Sequence, residues 1–404
     1  MSDTLNEMKN RRISGTGWIA IAASVAILFT CGFLTALVGI DYQPHEQTAM
    51  SLTPADPIGL FKAHPEPLWH LLTYFVANVF RCRVEIAAGI VSGLLIVATY
   101  LIAFFAIRKT VPGIESHEAA GLDLVLHLTC AIFVPFFNKT PYLGQGSPNI
   151  WHNPTTITVR PIALLVFLLV SSIVMKAREE EFENGIPVGR AILTGFLLVL
   201  SCFAKPSFVQ VFYPAIFTLM VIWLILFKGK NLKLGLQLLA VCVPSLIAMI
   251  LQFMIAFYSG NKGSGGVTIA PFVVAGARTR SIPISLLLLL AFPLLMLILA
   301  AIRKSVSWSD VFVWIMLLWG LVFRLLLVEK GERTYHGNFS WGFMLAAYLV
   351  WFTAVRSYLK LYFSEQMTGN KRGVGFVLAT LVLALHLLSG LYYLFYLVVL
   401  GNGM

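Results

Sequence analysis

The stretch "ISLLLLLAFPLLMLILAAI", from Ile284 to Ile302, decides the fold class of this chain. It carries no charged residue, and it is close in length to the ~20 apolar residues that a helix needs to cross a bilayer. Similar runs recur along the 404-residue chain, which is 58% hydrophobic and only 12% charged. Soluble domains carry about 25% charged residues. The sequence therefore predicts an all-α polytopic membrane protein.

Apolar runs of membrane length occur from one end of the chain to the other. We expect about eleven transmembrane helices, because that many runs approach the length that a bilayer requires. The predicted spans are residues 17–40, 86–107, 119–137, 158–175, 187–204, 208–227, 234–257, 284–302, 311–328, 341–358 and 374–399. No polar stretch between them is long enough to hold a core of its own. Residues 1–404 are therefore predicted to form a single transmembrane domain.

Basic residues predict the orientation of the spans, because cytoplasmic loops carry an excess of Lys and Arg. Lys9, Arg11 and Arg12 precede the first span, which predicts a cytoplasmic N-terminus. The run "LWHLLTYFVANVF", residues 68–80, is too short for an ordinary span, and if it crossed, the basic loops would not share one side. We therefore expect a long first outer loop, residues 41–85, with an interfacial helix at 68–80. The basic residues that then fall inside are Arg108, Lys109, Lys176, Arg178, Lys228, Lys230, Lys233, Arg303, Lys304, Lys360, Lys371 and Arg372.

Acidic residues follow directly on the first span. Asp41 ends the apolar run, and Glu46 and Asp56 lie further along the same outer loop. A carboxylate at the membrane boundary is costly to desolvate, so it usually has a partner or a function. Its chemical use would be as a general base that takes a proton from an attacking hydroxyl. Asp41, Glu46 and Asp56 are therefore candidate catalytic residues, with a solvated loop carboxylate as the alternative for each.

The second outer loop, residues 138–157, contains most of the polar stretch "YLGQGSPNIWHNPTTITVRP". Its glycines and prolines indicate a non-helical path, which is tolerated beside a membrane where it is buried in protein or lines a wet cavity. Arg160 lies about one turn inside the next span, where an unpaired cation is costly; a snorkelling side chain is the alternative. The candidate substrate-binding residues of this region are Asn149, His152, Asn153 and Arg160.

The two remaining outer loops, residues 258–283 and 329–340, are rich in basic and polar residues. Arginines at such positions suit bidentate contacts with phosphate, whereas lipid headgroups and pairing within the loop are the alternatives. Further candidate substrate-binding residues are Lys205, Arg278, Arg280, Arg333, His336 and Asn338. Within the spans, Arg324, His127 and His386 are the main polar exceptions, so no paired acids for a proton path are predicted.

Several classes of site are not indicated by the sequence. The five cysteines are scattered, and no Cys/His cluster with metal-ligand spacing occurs. None of the usual nucleotide-binding motifs is present, and the glycine-rich "GNKGSGG" does not follow a strand or open a helix. The net charge of +11 fits the cytoplasmic excess of basic residues, with an anionic lipid or phosphate ligand as the alternative. We expect no cofactor and no nucleic-acid partner; a divalent metal is an alternative that the sequence does not indicate.

This layout resembles the GT-C superfamily of integral membrane glycosyltransferases. The resemblance covers most of the chain and rests on the many spans, the long first outer loop with a surface helix, and an acidic residue soon after the first span. The phrases "SPNIWHNPT" and "ERTYHGNFSWG" also resemble those of bacterial membrane proteins associated with surface polysaccharide. The chain departs from the family pattern because no Asp-Asp or Glu-x-Asp pair follows the first span. The resemblance implies Asp41 as the catalytic acid and basic residues that hold a lipid phosphate.

The expected function is therefore a membrane glycosyltransferase or polysaccharide polymerase. It would transfer a sugar from a polyprenyl-(pyro)phosphate-linked donor to a glycan acceptor on the outer face. Its expected location is the bacterial cytoplasmic membrane, with membrane lipids as further partners. Two alternatives are a flippase or transporter for lipid-linked glycan, which would use the same basic cavity without chemistry, and a membrane acyltransferase with His152 or His336 as base.

Overall fold

The computed structural model describes residues 13–39, 41–52, 65–111, 113–137, 146–258, 266–367 and 373–400. These residues form fourteen α-helices and one short two-stranded antiparallel ribbon, β1 Val267–Ile269 with β2 Leu327–Glu329. The helices are α1 Gly15–Val38, α2 Tyr42–Met50, α3 Leu68–Phe80, α4 Val84–Thr110, α5 Ser116–Leu128, α6 Pro154–Glu179, α7 Val188–Ala204, α8 Ser207–Leu226, α9 Leu232–Tyr258, α10 Val273–Arg278, α11 Ile282–Ile302, α12 Trp308–Leu326, α13 Ser340–Met367 and α14 Val374–Val399.

Nine of the described helices are long and apolar enough to cross a membrane: α1, α4, α6, α8, α9, α11, α12, α13 and α14. The prediction of a helical, polytopic membrane protein is confirmed to this extent. Two of the predicted spans differ in the structure. Residues 187–204 form the shorter helix α7, and the span predicted at 119–137 contains only part of a helix, because α5 ends at Leu128.

The chain continues from α5 as an extended segment, residues 129–134, that is held by a later helix. The backbone N–H of Cys130 donates to the carbonyl of His386 at 3.2 Å, and His386 Nδ1 lies 2.7 Å from the Cys130 carbonyl oxygen. Ser389 Oγ donates to the Ala131 carbonyl at 2.7 Å. Non-helical backbone is tolerated at membrane depth where the surrounding protein satisfies its polar groups. The extended segment meets this condition through α14.

The most buried helices lie where the loops of the candidate site converge. The apolar window of α13 is 89% buried and that of α6 is 78% buried, compared with 22% for α9. Close packing at the centre depends on small residues, since Gly320 lies against the backbone of Phe343 and Gly342 against the backbone of Ser207. The hydrophobic effect does not drive helices together inside a bilayer. Helix association there relies on close packing, which small residues allow because the backbones can approach each other. Helices α6 and α13 therefore form a fixed core to which the site is attached.

Two short helices follow α1, although only one was predicted. Helix α3 has the predicted bounds, and the Trp69 indole donates to Ser92 Oγ of α4 at 3.3 Å. Arg81 has a φ of 48° at the end of α3 and reverses the chain into α4. Helix α2 was not predicted; its Tyr42 ring packs edge-on against Trp69, with centroids 5.8 Å apart. These contacts fix the position of Asp41, the residue that immediately precedes α2.

Candidate functional site

The loops that contain the candidate residues meet at one end of the bundle, where α1 ends and α4 begins. We call this the site end. The β-ribbon joins two of these loops, with Thr268 paired to Val328. The backbone N–H of Arg280 donates to the carbonyl of Phe137 at 2.9 Å, which ties a third segment to them. These residues are far apart along the chain, so it is the tertiary structure that brings them together.

Residues 146–153, which we call the wall loop, enter the bundle from the site end. Gly146 has a φ of 80°, and a side chain there would collide with Arg324. The Asn149 amide donates to the carbonyl oxygens of Leu126 and Thr129, at 2.7 and 2.8 Å. These two bonds satisfy carbonyls at the end of α5, where the helix leaves them without partners. Asn149 is therefore a fixed part of the protein interior.

Arg160 holds the wall loop from the other side. Its Nη2 donates to the Ile150 carbonyl at 3.0 Å, and its Nη1 donates to Asn149 Oδ1 at 3.5 Å. The guanidinium carbon lies 5.3 Å from the centroid of the Tyr348 ring, and the residue is only 2% exposed. The contacts that the structure shows for Arg160 are thus with the protein itself. They indicate a positioning role, and the predicted contact with substrate stays a prediction.

Lys205 lies at the beginning of α6, although it belongs to the end of α7. Its ammonium donates to Asn153 Oδ1 at 3.0 Å and to Thr155 Oγ1 at 2.8 Å, and it lies 4.5 Å from the Trp341 ring centroid. Asn153 is also the N-cap of α6, because its side chain accepts from the Thr156 backbone N–H. Burial lowers the pKa of Lys205 to about 8, and the charges of Glu66 and Asp41 oppose that change.

His152 belongs to the wall loop and is buried against α14. Its Nδ1 lies 2.7 Å from the Tyr393 hydroxyl, and its ring lies 6.2 Å from that of Trp341. Burial lowers the pKa of His152 to about 4; Asp41 opposes this change, whereas Lys205 and Arg278 add to it. The imidazole is therefore neutral near pH 7 and can donate or accept a hydrogen bond.

The structure distinguishes between the predicted acids. Asp41 is half-buried, and its charge acts on His152, Lys205 and Arg278. Glu46 is buried on α2, and burial raises its pKa to about 7, with repulsion from Glu85 of α4 as the second cause. Asp41 is thus grouped with the basic residues, and Glu46 is grouped with another acid.

The third predicted acid, Asp56, lies outside the described residues. So do residues 138–145 of the second predicted outer loop and residues 259–265 of the third.

Two further arginines lie near the wall loop, Arg278 at the end of α10 and Arg324 in the last turn of α12. Arg278 Nη2 donates to the carbonyl oxygens of Tyr335 and His336, at 2.9 and 3.2 Å. Burial lowers the pKa of Arg278, and Asp41 opposes the change. Arg324 is 6% exposed, lies 5.0 Å from the Phe343 ring centroid, and is close enough to Arg278 for the two charges to repel. Two like charges held together favour an anion between or beside them.

The other predicted residues lie at the rim of the site end, in contact with their own neighbours. Arg280 is exposed and lies over the Phe136 ring, and Arg333 is half-exposed and pairs with Glu329 at 3.5 Å. Glu329 also accepts a hydrogen bond from the Asn338 amide at 2.7 Å. His336 is exposed, and its carbonyl rather than its ring contacts Arg278. The structure therefore separates these four residues from the buried group around Asp41.

Sequence reasoning missed Trp341, Tyr393 and Asp123. The first two face His152 and were read as apolar span residues. Asp123 was overlooked within "LDLVLHL", although its spacing of four residues from His127 puts both on one helix face. The pair lies in the bundle interior, with Asp123 fully buried. His127 was identified from the sequence as a polar exception within the spans, but its acidic partner was not.

The arrangement at the site end combines one carboxylate, a neutral imidazole and several cations. Such a group can bind an anion beside a base. Among the described residues, no group of three or more His, Cys, Asp or Glu side chains could hold a metal ion. A cavity of about 280 Å³ lies between the end of α6 and the start of α7, remote from Asp41, and is lined in part by Lys176, Glu180 and Arg190.

No protein-family model matches this chain, and no curated protein shows significant similarity to it.

Proposed function

We propose that this protein is a GT-C-like membrane glycosyltransferase that uses a polyprenyl-(pyro)phosphate-linked sugar donor. The observation that carries the proposal is the placement of Asp41 near the buried Lys205 and the half-buried Arg278, beside the neutral His152. The donor enters from the bilayer, the acceptor glycan enters from the aqueous phase, and the site end faces outward. Polysaccharide polymerisation is the same chemistry repeated on a growing acceptor.

The electrostatics of Lys205 support an anionic ligand. A cation at the N-terminus of a helix meets the positive end of the helix dipole, which is unfavourable. Lys205 occupies this position at α6 and is only 8% exposed. Arg278 and Arg324 add two more charges nearby, and they repel each other. A bound phosphate relieves both of these unfavourable interactions, whereas a neutral ligand relieves neither.

In the proposed reaction, an acceptor hydroxyl attacks the anomeric carbon of the donor sugar. Asp41 accepts the hydroxyl proton as the new C–O bond forms. The bond between the anomeric carbon and the phosphate oxygen breaks, and the phosphate leaves with the electron pair. Lys205 and Arg278 stabilise the charge that develops on this oxygen. His152 orients a sugar hydroxyl, because Tyr393 fixes its ring from the other side.

Replacement of Asp41 tests the proposal, with Glu46 as a matched control. Both are acids of the same loop, but Glu46 is grouped with Glu85 rather than with the cations. We expect Asp41→Asn to reduce sugar transfer at least ~100-fold, the scale of general-base catalysis, while Glu46→Gln retains most of it. The measurement is transfer of radiolabelled sugar from the host's lipid-linked pool to polysaccharide by the purified chain in liposomes. Unchanged transfer by Asp41→Asn would rule out the mechanism.

The same variants separate glycosyl transfer from transport of a lipid-linked glycan. A flippase needs the cations but no base, so Asp41→Asn would leave movement of a fluorescent lipid-linked sugar between leaflets intact. Loss of transfer without loss of donor binding supports the transferase. Leaflet exchange by the wild-type chain without any transfer would favour the flippase instead.

A further inference from the structure

Asp123 and His127 form an acid–imidazole pair in the interior of the bundle, apart from the Asp41 group. Both belong to α5, with exposed fractions of 0% and 1%. His127 Nδ1 lies 3.3 Å from Asp123 Oδ1 and 2.9 Å from the Asp123 carbonyl oxygen. Within the described part of the chain, only the His127 ring and the Phe104 backbone are placed to give the Asp123 carboxylate hydrogen bonds. A buried acid that serves only the fold normally accepts several, so this pair has the character of a functional site.

Three other helices present ionisable groups to the pair. Tyr100 of α4 packs edge-on against the His127 ring at 5.8 Å, and its charge interacts with Asp123. The Tyr348 hydroxyl of α13 lies 3.3 Å from His127 Nε2. Arg160 of α6 lies on the Tyr348 ring.

The two remaining neighbours of α5 are α14 and α1. Helix α14 contributes His386, whose Nδ1 is engaged with the Cys130 carbonyl. Helix α1, which packs along α5, carries no acidic or basic residue.

We propose that Asp123 and His127 form a proton-binding site, and that its occupancy is relayed to the wall loop. With a neutral ring, His127 directs its Nδ1–H at Asp123 and its Nε2 accepts from the Tyr348 hydroxyl. When the pair takes up a proton from the solvent at Nε2, the Nδ1 hydrogen passes to the Asp123 carboxylate, and Nε2–H becomes a donor to the phenol oxygen. The phenol hydrogen then has to turn away, because Nε2 no longer accepts. One proton is gained: an N–H bond forms at Nε2, the one at Nδ1 breaks, and an O–H bond forms on Asp123.

Two sets of contacts connect this site to the wall loop. Tyr348 faces Arg160, which donates to the Ile150 carbonyl and to Asn149 Oδ1. The Asn149 amide donates to the carbonyl of Leu126, the residue next to His127 in α5. Reorientation of the Tyr348 hydroxyl therefore reaches Asn149 and Ile150 through Arg160, and Asn149 is also bonded directly to the helix that carries His127. The wall loop carries His152, so protonation in the interior changes the surroundings of the site end.

Infrared spectroscopy tests the proton site directly. The probe is the proton itself, titrated on the full chain in liposomes, with carboxylic-acid bands followed from about pH 4 to pH 9. We expect Asp123→Asn to remove one titrating band and the exposed Glu183→Gln control to retain it. We expect His127→Gln to move its midpoint by about one pH unit or more, the scale of a charge partner at this distance. Identical titrations in Asp123→Asn and wild type, or an unmoved midpoint in His127→Gln, would overturn the proposal.

Hydrogen exchange of residues 146–153 tests the relay. After correction for the chemical exchange rate, we expect wall-loop exchange in the wild type to change several-fold across the midpoint of the Asp123 band. Tyr348→Phe keeps the ring over Arg160 but removes the hydroxyl, so it should abolish this change while the band still titrates. Exchange that does not depend on pH in the wild type would refute the relay. Neither readout requires a sugar donor, so failure of the proposed glycosyl transfer leaves this inference standing.

Discussion

The positive charge of Lys205 is poorly stabilised by the surrounding fold. Its hydrogen-bond partners, Asn153 and Thr155, are neutral, and the α6 dipole opposes its charge. Burial lowers its pKa to about 8. Because the folded-state pKa is lowered, the amine loses its proton as the pH rises through that value. A function that needs the cation is therefore present below about pH 8 and is lost above it.

Binding of polyprenyl phosphate should follow this titration. A phosphate monoester is already dianionic above about pH 7.5. A loss of affinity between pH ~7 and ~9.5 therefore reflects a change of charge on the protein rather than on the ligand. We expect about a 10-fold loss, because a hydrogen bond to a charged group contributes about 1.5–3 kcal/mol. Lys205→Met should bind at least ~10-fold more weakly at pH ~7 and show a flat profile. Native mass spectrometry or scintillation proximity measures the affinity.

Lys176→Met is the matched control for this prediction. It removes the same charge at the opposite end of α6, where Lys176 pairs with Glu180 at 3.3 Å. Its affinity and pH profile should equal those of the wild type. Wild-type affinity that is constant up to pH ~9.5 would contradict the assignment of Lys205 to the phosphate.

Polarity in an apolar chain was sufficient to make Lys205, His152 and Asn153 candidate site residues, and the structure places Lys205 beside Asn153. Polarity could not separate Asp41 from Glu46, because that distinction depends on which helix each side chain faces. Asp123 was missed for a related reason: a single acid in an apolar run does not indicate a site unless its partner is recognised as well. Its partner, His127, is one helical turn away, so attention to that spacing would have found the pair.

At the scale of elements, the apolar pattern predicted helices well and interruptions poorly. Helix α3 has the bounds expected from its sequence. The end of α5 at Leu128 was missed, because extended and helical apolar segments have the same composition. What breaks the helix is tertiary: α14 supplies hydrogen bonds to the backbone of Cys130 and Ala131. Helix α2 was missed because its nine residues are polar on average and gain stability from packing against α3.

The contact between α14 and the extended segment should depend on Gly390. A side chain at this position would collide with the carbonyl oxygen of Leu128. We expect Gly390→Ala to lower the free energy of unfolding by about 1–3 kcal/mol or more, the usual cost of overpacking. The thermal unfolding midpoint of the purified chain in detergent measures the effect.

Gly189→Ala is the control for this change, because no atom lies within 4 Å of the added methyl group. It should be neutral or slightly stabilising, since Ala favours helix over Gly. Equal unfolding midpoints for the two variants would show that the extended segment can shift without cost.

At the scale of the whole molecule, the site end should face the outside of the cell. The prediction rests on the excess of basic residues at the opposite end. Gln43 is exposed at the site end and Ser305 at the opposite end. In a chain with Cys82→Ser, we expect Gln43→Cys to react with a membrane-impermeant maleimide in intact cells. Ser305→Cys should react only after permeabilisation, and the reverse pattern would invert the topology.

The extended segment after α5 also constrains the order in which the protein can be completed. An ordinary membrane helix satisfies its own backbone as soon as it leaves the ribosome. Residues 130–133 do not, because their partners, Leu288, His386 and Ser389, are synthesised more than a hundred residues later. The backbone of this segment must therefore remain without these partners until α11 and α14 have been synthesised. Completion of this early part of the fold depends on the arrival of helices that follow much later in the chain.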